Sequence, residues 1–381
     1  MSRPGRGGST YGNTRPELAA GTMTLPARHY TDPELFRAEL ERIHCDMWVY
    51  AGRTEALASA GSYFVRQLAN ASVIVLRDEG GGLRAFHNVC RHRGTLLCKE
   101  EQGTLPSRIQ CPYHGWTYGL DGRLMNAPHM EKVEGFEESD YPLGPVAVEE
   151  WDGHVFINLS ARPEPLAEQL GALQQKFRPW RMQELKLAER RVYHLKANWK
   201  LIIQNYSECL HCPIVHPLLQ QQSHYMSGDN EAPQPNYLGG RMELREGVET
   251  LSMDGSSKRS RLPGLGEEEA RHVYYYAILP NLLLNLHPDY MLTHTIWPLA
   301  VDRSDVVCEW HFHPDEMRKP AFDPSGPVEF WDMTNRQDWE LSDLAQEGIS
   351  SRGYRPGPYS NREDLLHGFD RFVLDRLAAR P

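Results

Sequence analysis

Two short segments each pair a cysteine with a histidine: Cys90-Arg-His92 and, after 18 intervening residues, Cys111-Pro-Tyr-His114. Each pair sits on a tight loop, with Arg93-Gly94 following the first and Gly115-Trp116 the second. Thiolate and imidazole both bind iron and zinc. Zinc fingers usually pair cysteine with cysteine and histidine with histidine, whereas here each loop supplies one of each. That pattern fits an iron–sulfur cluster in which imidazoles replace two of the four thiolates, lowering the negative charge and raising the reduction potential. A Cys₂His₂ zinc site is the competing reading. Cys98 lies between the loops without a matching partner and reads as a small buried hydrophobe.

The sequence around these loops is patterned as β structure. From about 51 to 159, short runs such as 72–77 (SVIVLR) alternate with turn signals, among them Gly80-Gly81-Gly82. Asp121-Gly122 predicts a hairpin between 116–118 and 123–125, because both residues tolerate positive φ. Upstream, Thr31-Asp-Pro-Glu34 reads as a capping box, opening a helix that ends near Trp48. Helical periodicity returns over 163–180, a strand is expected over 191–198, and a helix through 199–211. Residues 238–253, 272–279, 290–299 and 304–313 read as strands. Residues 327–347 and 361–379 read as helices, the last started by Ser360 with Glu363. The fold class is α+β. The expected division is a disordered arm over 1–22, an N-terminal helix over 23–50 packing on the larger domain, an all-β domain over 51–160, and the larger domain over 161–381.

Composition narrows the partners. The net charge is −10 and the basic residues are scattered, which argues against nucleic acid. No run approaches the ~18 apolar residues of a membrane span; the nearest, 274–286, is cut by Pro280 and Asn281. The N-terminus has no apolar stretch of the secretory kind. Seven cysteines without framework spacing argue against a disulfide scaffold and for a reduced, cytoplasmic setting.

A second constellation lies in 198–216. Glu208 and His211 are three apart and would share a helix face, and Pro213 would let His216 swing back toward His211. Two histidines plus a distant carboxylate make a facial triad with open iron positions. The plainer alternative is a set of surface polar residues. Cys209-Leu-His-Cys212 is formally a redox CxxC, but it lacks the βαβ context of such sites.

The segments CRHRG (90–94) and CPYHGWTYGLDGRL (111–124) resemble the cluster loops of Rieske ferredoxin domains, particularly those of ring-hydroxylating oxygenase large subunits. The pattern E-x-x-H-x₄-H over 208–216 resembles the mononuclear iron motif of the same family. The resemblance implies a Rieske [2Fe–2S] domain followed by a helix-grip, START-like catalytic domain. It implies one cluster, with Cys90 and Cys111 on one iron and His92 and His114 on the other, and one mononuclear Fe(II) on His211, His216 and Asp338. Asp332 and Asp343 are the alternatives to Asp338. It further implies a head-to-tail homotrimer in which Glu208 links His114 of one copy to His211 of the next, with Asn205 beside the iron.

Glutamate at 208, where most ring-hydroxylating members carry aspartate, is similar to the branch acting on glycine betaine, carnitine, stachydrine and choline. Gln204 and Leu210 depart from that branch, which has glutamate and tyrosine there. The implied reaction uses O₂ and electrons from a separate NAD(P)H reductase carrying flavin and [2Fe–2S]; no G-x-G-x-x-G follows a strand here. Oxidative N-demethylation of a betaine-like compound is the expected chemistry. The alternatives are hydroxylation or demethylation of an aromatic or other small organic molecule, and an iron–sulfur electron-transfer protein without catalysis. A quaternary ammonium needs an aromatic cage. The candidates are Tyr276, Trp297 and Trp339, with Tyr274 and Tyr275, of which strand alternation admits at most two of the three tyrosines on one face.

Overall fold

The computed structural model describes residues 22–379. The arm expected over 1–22 therefore lies, save its last residue, outside the described residues. The chain forms two compact units: Leu40–Gln169, and the segments up to Glu39 and from Leu170 onward.

The first unit is built on β1 (Val49–Arg53), β2 (Ser62–Leu68), β3 (Ala71–Arg77), β4 (Leu83–His87), β5 (Gln102–Thr104), β6 (Arg108–Gln110), β7 (Thr117–Gly119), β8 (Leu124–Asn126), β9 (Pro145–Trp151) and β10 (His154–Asn158). One antiparallel sheet runs β1-β10-β9-β4-β3-β2-β5, and a smaller one runs β6-β7-β8. The 72–77 run is β3, inside the sheet, where both faces are covered and five consecutive residues are buried. The Asp121-Gly122 hairpin forms as expected, although only Gly122 takes positive φ (84°). A Cβ at Gly122 would lie 2.4 Å from the Phe86 ring, so no other residue fits.

This unit is wider than 51–160. Val49 and Tyr50 pair with Ile157 and Phe156, which draws the segment before 51 into the sheet. The Trp48 N–H donates to Gln169 Oε1 (2.9 Å) and Gln169 Nε2 donates to the Trp48 carbonyl (2.8 Å), which extends it past 160. The N-terminal helix also differs from expectation. It is split into Arg28–Thr31 and Pro33–Glu39, then widens into a π-type turn ending at His44. Asp32 is the cap, its Oδ1 accepting the Glu34 N–H, while Thr31 turns back to the Ala27 carbonyl.

The second unit carries β11 (Lys186–Leu195), β12 (Asp229–Asn230), β13 (Tyr237–Glu243), β14 (His272–Ile278), β15 (Leu282–Leu286), β16 (Tyr290–Ala300) and β17 (Arg303–Phe312). They form one antiparallel sheet in the order β11-β17-β16-β15-β14-β13-β12. Pro280 and Asn281, which interrupt the apolar stretch in the sequence, turn the β14–β15 hairpin. The strand expected over 238–253 stops at Glu243. The helix expected over 163–180 is broken into Leu166–Leu170 and Leu173–Lys176, with Gly171 between them at φ 51°.

A long helix, Ser325–Ile349, lies across this sheet. Tyr193 donates to Asp332 (2.7 Å), Trp331 Nε1 to the Tyr290 hydroxyl (2.7 Å), and Asn335 Oδ1 meets His294 Nε2 (3.0 Å). A sheet wrapped on one long helix is the helix-grip arrangement. Among the described residues, no helix is long and apolar enough to cross a membrane.

Candidate metal centres and the cavity beside them

The two Cys–His loops fold alike. The Cys90 carbonyl accepts the Gly94 N–H (3.0 Å) and the Cys90 N–H reaches the Thr95 carbonyl (2.9 Å). The Cys111 carbonyl accepts the Gly115 N–H (3.2 Å) and the Cys111 N–H reaches the Trp116 carbonyl (2.8 Å). Both glycines close their loops in the left-handed region, at φ 74° and 73°. The two sulfurs are thereby buried, while His92 is exposed and His114 half-buried. The imidazole rings stand 4.8 Å apart, and His92 stacks on Trp116. Burial pushes the Cys90 thiol up, and neighbouring Cys111 adds to the effect. Two adjoining buried thiols ionise together only beside a positive centre, so this donor set suits a metal cluster.

In the second unit the helix expected through 211 ends at Tyr206. Ser207 Oγ donates back to the Ile203 carbonyl (2.6 Å), and the Glu208 carboxylate caps the Leu210 N–H. Glu208 and His211 consequently meet across a turn, not along a helix face, with Oε1 2.6 Å from Nδ1. Pro213 opens the next short helix, Cys212–Val215, and His216 follows it. His211 Nε2 and His216 Nε2 lie 3.2 and 2.9 Å from one oxygen, Asp338 Oδ1. The outer nitrogens are held as well, His211 by Glu208 and His216 Nδ1 by Gln337 Oε1 (2.7 Å). Burial alone would lower the His211 pKa, but Asp338 and Glu208 outweigh it and push it up to about 10. Burial raises Asp338, yet the two imidazoles hold its carboxyl below the usual range. Two convergent imidazoles and a carboxylate that call for positive charge suit a divalent metal with open positions.

The alternative carboxylates are committed elsewhere. Asp332 pairs with Arg191 (3.0 Å) and Tyr193, and Asp343 accepts the Lys196 N–H (2.8 Å). Cys212 Sγ also approaches His211 Nε2 (3.8 Å). It is bridged to Cys209, however, so it offers no thiolate. That disulfide departs from the wholly reduced set expected from the sequence.

Residues 182–379 match the model of the ring hydroxylating alpha subunit catalytic domain, and residues 47–137 that of the Rieske [2Fe–2S] domain. The chain is 32% identical to the glycine betaine monooxygenase oxygenase subunit of Pseudomonas aeruginosa UCBPP-PA14, over 89% of this chain and 85% of the relative. It is 32% identical to the carnitine monooxygenase oxygenase subunit of Escherichia coli K12, over 87% and 86%. The crystal structure of the quaternary ammonium Rieske monooxygenase CntA with L-carnitine superposes with TM-score 0.76 at 25% identity, covering 92% and 95%. The chain belongs to the Rieske oxygenase alpha subunits.

As an oxidoreductase of this family, the oxygenase subunit places Asn205, Glu208, His211, His216 and Asp338 on one cavity. Its aromatic walls are Tyr206, Tyr275 and Trp331. Of the five aromatics singled out from the sequence, Tyr275 lines this cavity, whereas Tyr276, Trp297 and Trp339 sit elsewhere, as does Tyr274. Tyr276 faces the other side of β14, packed on Phe177 (4.9 Å) and approached by Lys176. Trp297 lies near the far end of β16, opposite Asp305. Trp339, about 100° around the helix from Asp338, packs on Tyr193 and His294. Trp331, Thr334 and Asp338 recur at helical spacing and line the cavity together, so periodicity anchored on Asp338 was the signal for Trp331. Gln337 had no comparable signal, because it acts through His216, a partner brought in by tertiary folding.

Proposed function

We propose that this subunit is the terminal oxygenase of a Rieske monooxygenase that oxidatively N-demethylates a quaternary ammonium, betaine-like substrate. The observation that carries it is three aromatic walls, Tyr206, Tyr275 and Trp331, on the same cavity as His211, His216 and Asp338. Aromatic faces are the groups that hold a cation without a hydrogen. The names of the glycine betaine and carnitine relatives point the same way.

In this reading Cys90, His92, Cys111 and His114 would hold the cluster, and His211, His216 and Asp338 would hold the iron. Bound there, iron supplies O₂ activation and the cluster supplies electrons. Hydroxylating an N-methyl group consumes O₂, two electrons and two protons, with the second oxygen atom leaving as water; the N-hydroxymethyl product then breaks to a tertiary amine, formaldehyde and a proton. Glu208 and Gln337 fix the tautomers of His211 and His216 and keep Nε2 of each toward the metal. Asn205 lines the same cavity as His211, His216 and Asp338. Glu208 also links His211 to the cluster histidine of a neighbouring copy in a head-to-tail trimer. Ile214, 87% exposed on the short helix between His211 and His216, is an apolar group such docking would cover. Electrons come from a separate NAD(P)H reductase, in the cytoplasm.

Assays with a matched reductase test the reading. Glycine betaine, carnitine and choline, set beside an aromatic acid, should divide by formaldehyde release. Iron content should be about three per chain, the sum of a [2Fe–2S] cluster and one mononuclear site. His211→Ala should lower it to about two, keep the cluster spectrum and abolish turnover. Turnover retained by that variant excludes the facial triad.

A further inference from the structure

Beneath the aromatic walls, the face of the sheet toward the metal ligands carries buried polar atoms with no hydrogen-bond partner among the described residues. Tyr275 and Asn285 are register partners on β14 and β15, and their side chains share that face. Asn285 is fully buried; its Oδ1 lies 2.5 Å from the Tyr206 hydroxyl, and its Nδ2 has no partner among the described residues. Turning the amide over would leave the oxygen unpaired instead. The Tyr275 hydroxyl is likewise buried and unpartnered, although its ring lines the cavity. The Tyr206 and Tyr275 rings lie 6.3 Å apart, edge to face.

Buried polar groups in native proteins are nearly always paired, and leaving one unpaired costs about 1–3 kcal/mol. Two such groups side by side, one carried by a ring that walls the cavity, mark a place for a polar atom from outside the protein. We infer that the Tyr275 hydroxyl, with Asn285 behind it, binds an oxygen at the polar end of the substrate and so turns the N-methyl end toward the metal ligands. The inference rests on the quaternary ammonium reading and adds a second requirement: a carboxylate or hydroxyl remote from the nitrogen. The Tyr275 hydroxyl and the Asn285 amide are both neutral, so recognition by this pair is by hydrogen bond, which a neutral hydroxyl satisfies as a carboxylate does.

Binding of glycine betaine, choline and tetramethylammonium to the metal-loaded protein and to Tyr275→Phe, by calorimetry, provides the test. The substitution keeps the ring and removes only the hydroxyl. Glycine betaine and choline should bind Tyr275→Phe about five- to tenfold more weakly, the equivalent of one hydrogen bond, with tetramethylammonium unchanged. Loss for glycine betaine alone identifies the carboxylate as the group recognised; equal loss for choline extends this to a hydroxyl. An equal loss for all three probes, or none for any, overturns the inference, the latter meaning that water satisfies Tyr275. If none of the three binds the parent protein, the quaternary ammonium reading falls and the inference with it.

Discussion

The Tyr118 hydroxyl accepts the Arg91 N–H at 3.0 Å, which leaves its own proton for Cys90 Sγ at 3.3 Å. A donor to a cluster sulfur stabilises the more negative, reduced state. Tyr118→Phe should therefore lower the cluster's midpoint potential by about 20–60 mV, one net hydrogen bond expressed for a one-electron couple. Redox titration of the visible spectrum reads this, and an unchanged potential would show that the hydroxyl does not donate to the sulfur. Tyr118 stands within the motif that marks the second loop, yet the motif gives its position and not its partner. The contrast with His211 is instructive: its spacing from Glu208 and His216 was visible in the chain, whereas the Gln337 that holds His216 depends on a long helix arriving more than a hundred residues later.

At the scale of elements, the helix Trp199–Tyr206 is anchored by an ion pair sealed from water. Lys200 Nζ lies 2.6–2.7 Å from both Glu39 oxygens, and Trp199 Nε1 donates to the same carboxylate (2.9 Å). Desolvation lowers the lysine's pKa against the opposing pull of Glu39. Lys200→Met should destabilise the protein by about 3–5 kcal/mol because it strands Glu39, and adding Glu39→Gln should recover much of that loss. Denaturant unfolding of Lys200→Met, Glu39→Gln and the double variant decides it; additive effects in the double variant would deny the pairing. Alternation and turn residues made the hairpin at Asp121-Gly122 and most strands of the second unit legible. The end of this helix was not, because Ser207 and Glu208 terminate it by hydrogen bonds to backbone, whereas Pro213 was the visible breaker. Among the tyrosine candidates the sequence could not single out Tyr275 for a related reason: alternation fixes how many tyrosines share a face, but only the folded sheet says which face meets the metal ligands.

For the molecule as a whole, a buried network joins Tyr30, Gln204, Asp370 and Tyr359, the last two at 2.8 Å. Burial pushes the Asp370 carboxyl up to about 6, although Tyr359, Gln204 and Lys200 pull the other way. A carboxyl raised in the folded state favours folding fully below its unfolded value of 3.8, and that contribution is lost as pH rises through about 6. The loss is about 2–3 kcal/mol. Asp370→Asn removes it, so the melting temperature of the variant should gain on the parent between about pH 4 and pH 7. Parallel pH profiles would show that Asp370 titrates normally. Length and patterning gave two units, but their limits at Leu40 and Leu170 came from strand pairing and from Gln169, neither of which has a local signature.

Tyr274, Tyr275 and Tyr276 occupy consecutive positions of β14, and only the middle one looks toward the metal ligands. Because strand side chains alternate, a shift of pairing by one residue in either direction would exchange that ring for another tyrosine. The triplet is thus a redundancy against misregistration. Its neighbours lack that tolerance, since the same slip would carry Asn285 out of opposition to the central ring. An alteration in the length of the β14–β15 turn would accordingly preserve an aromatic wall while dissolving the polar pairing behind it.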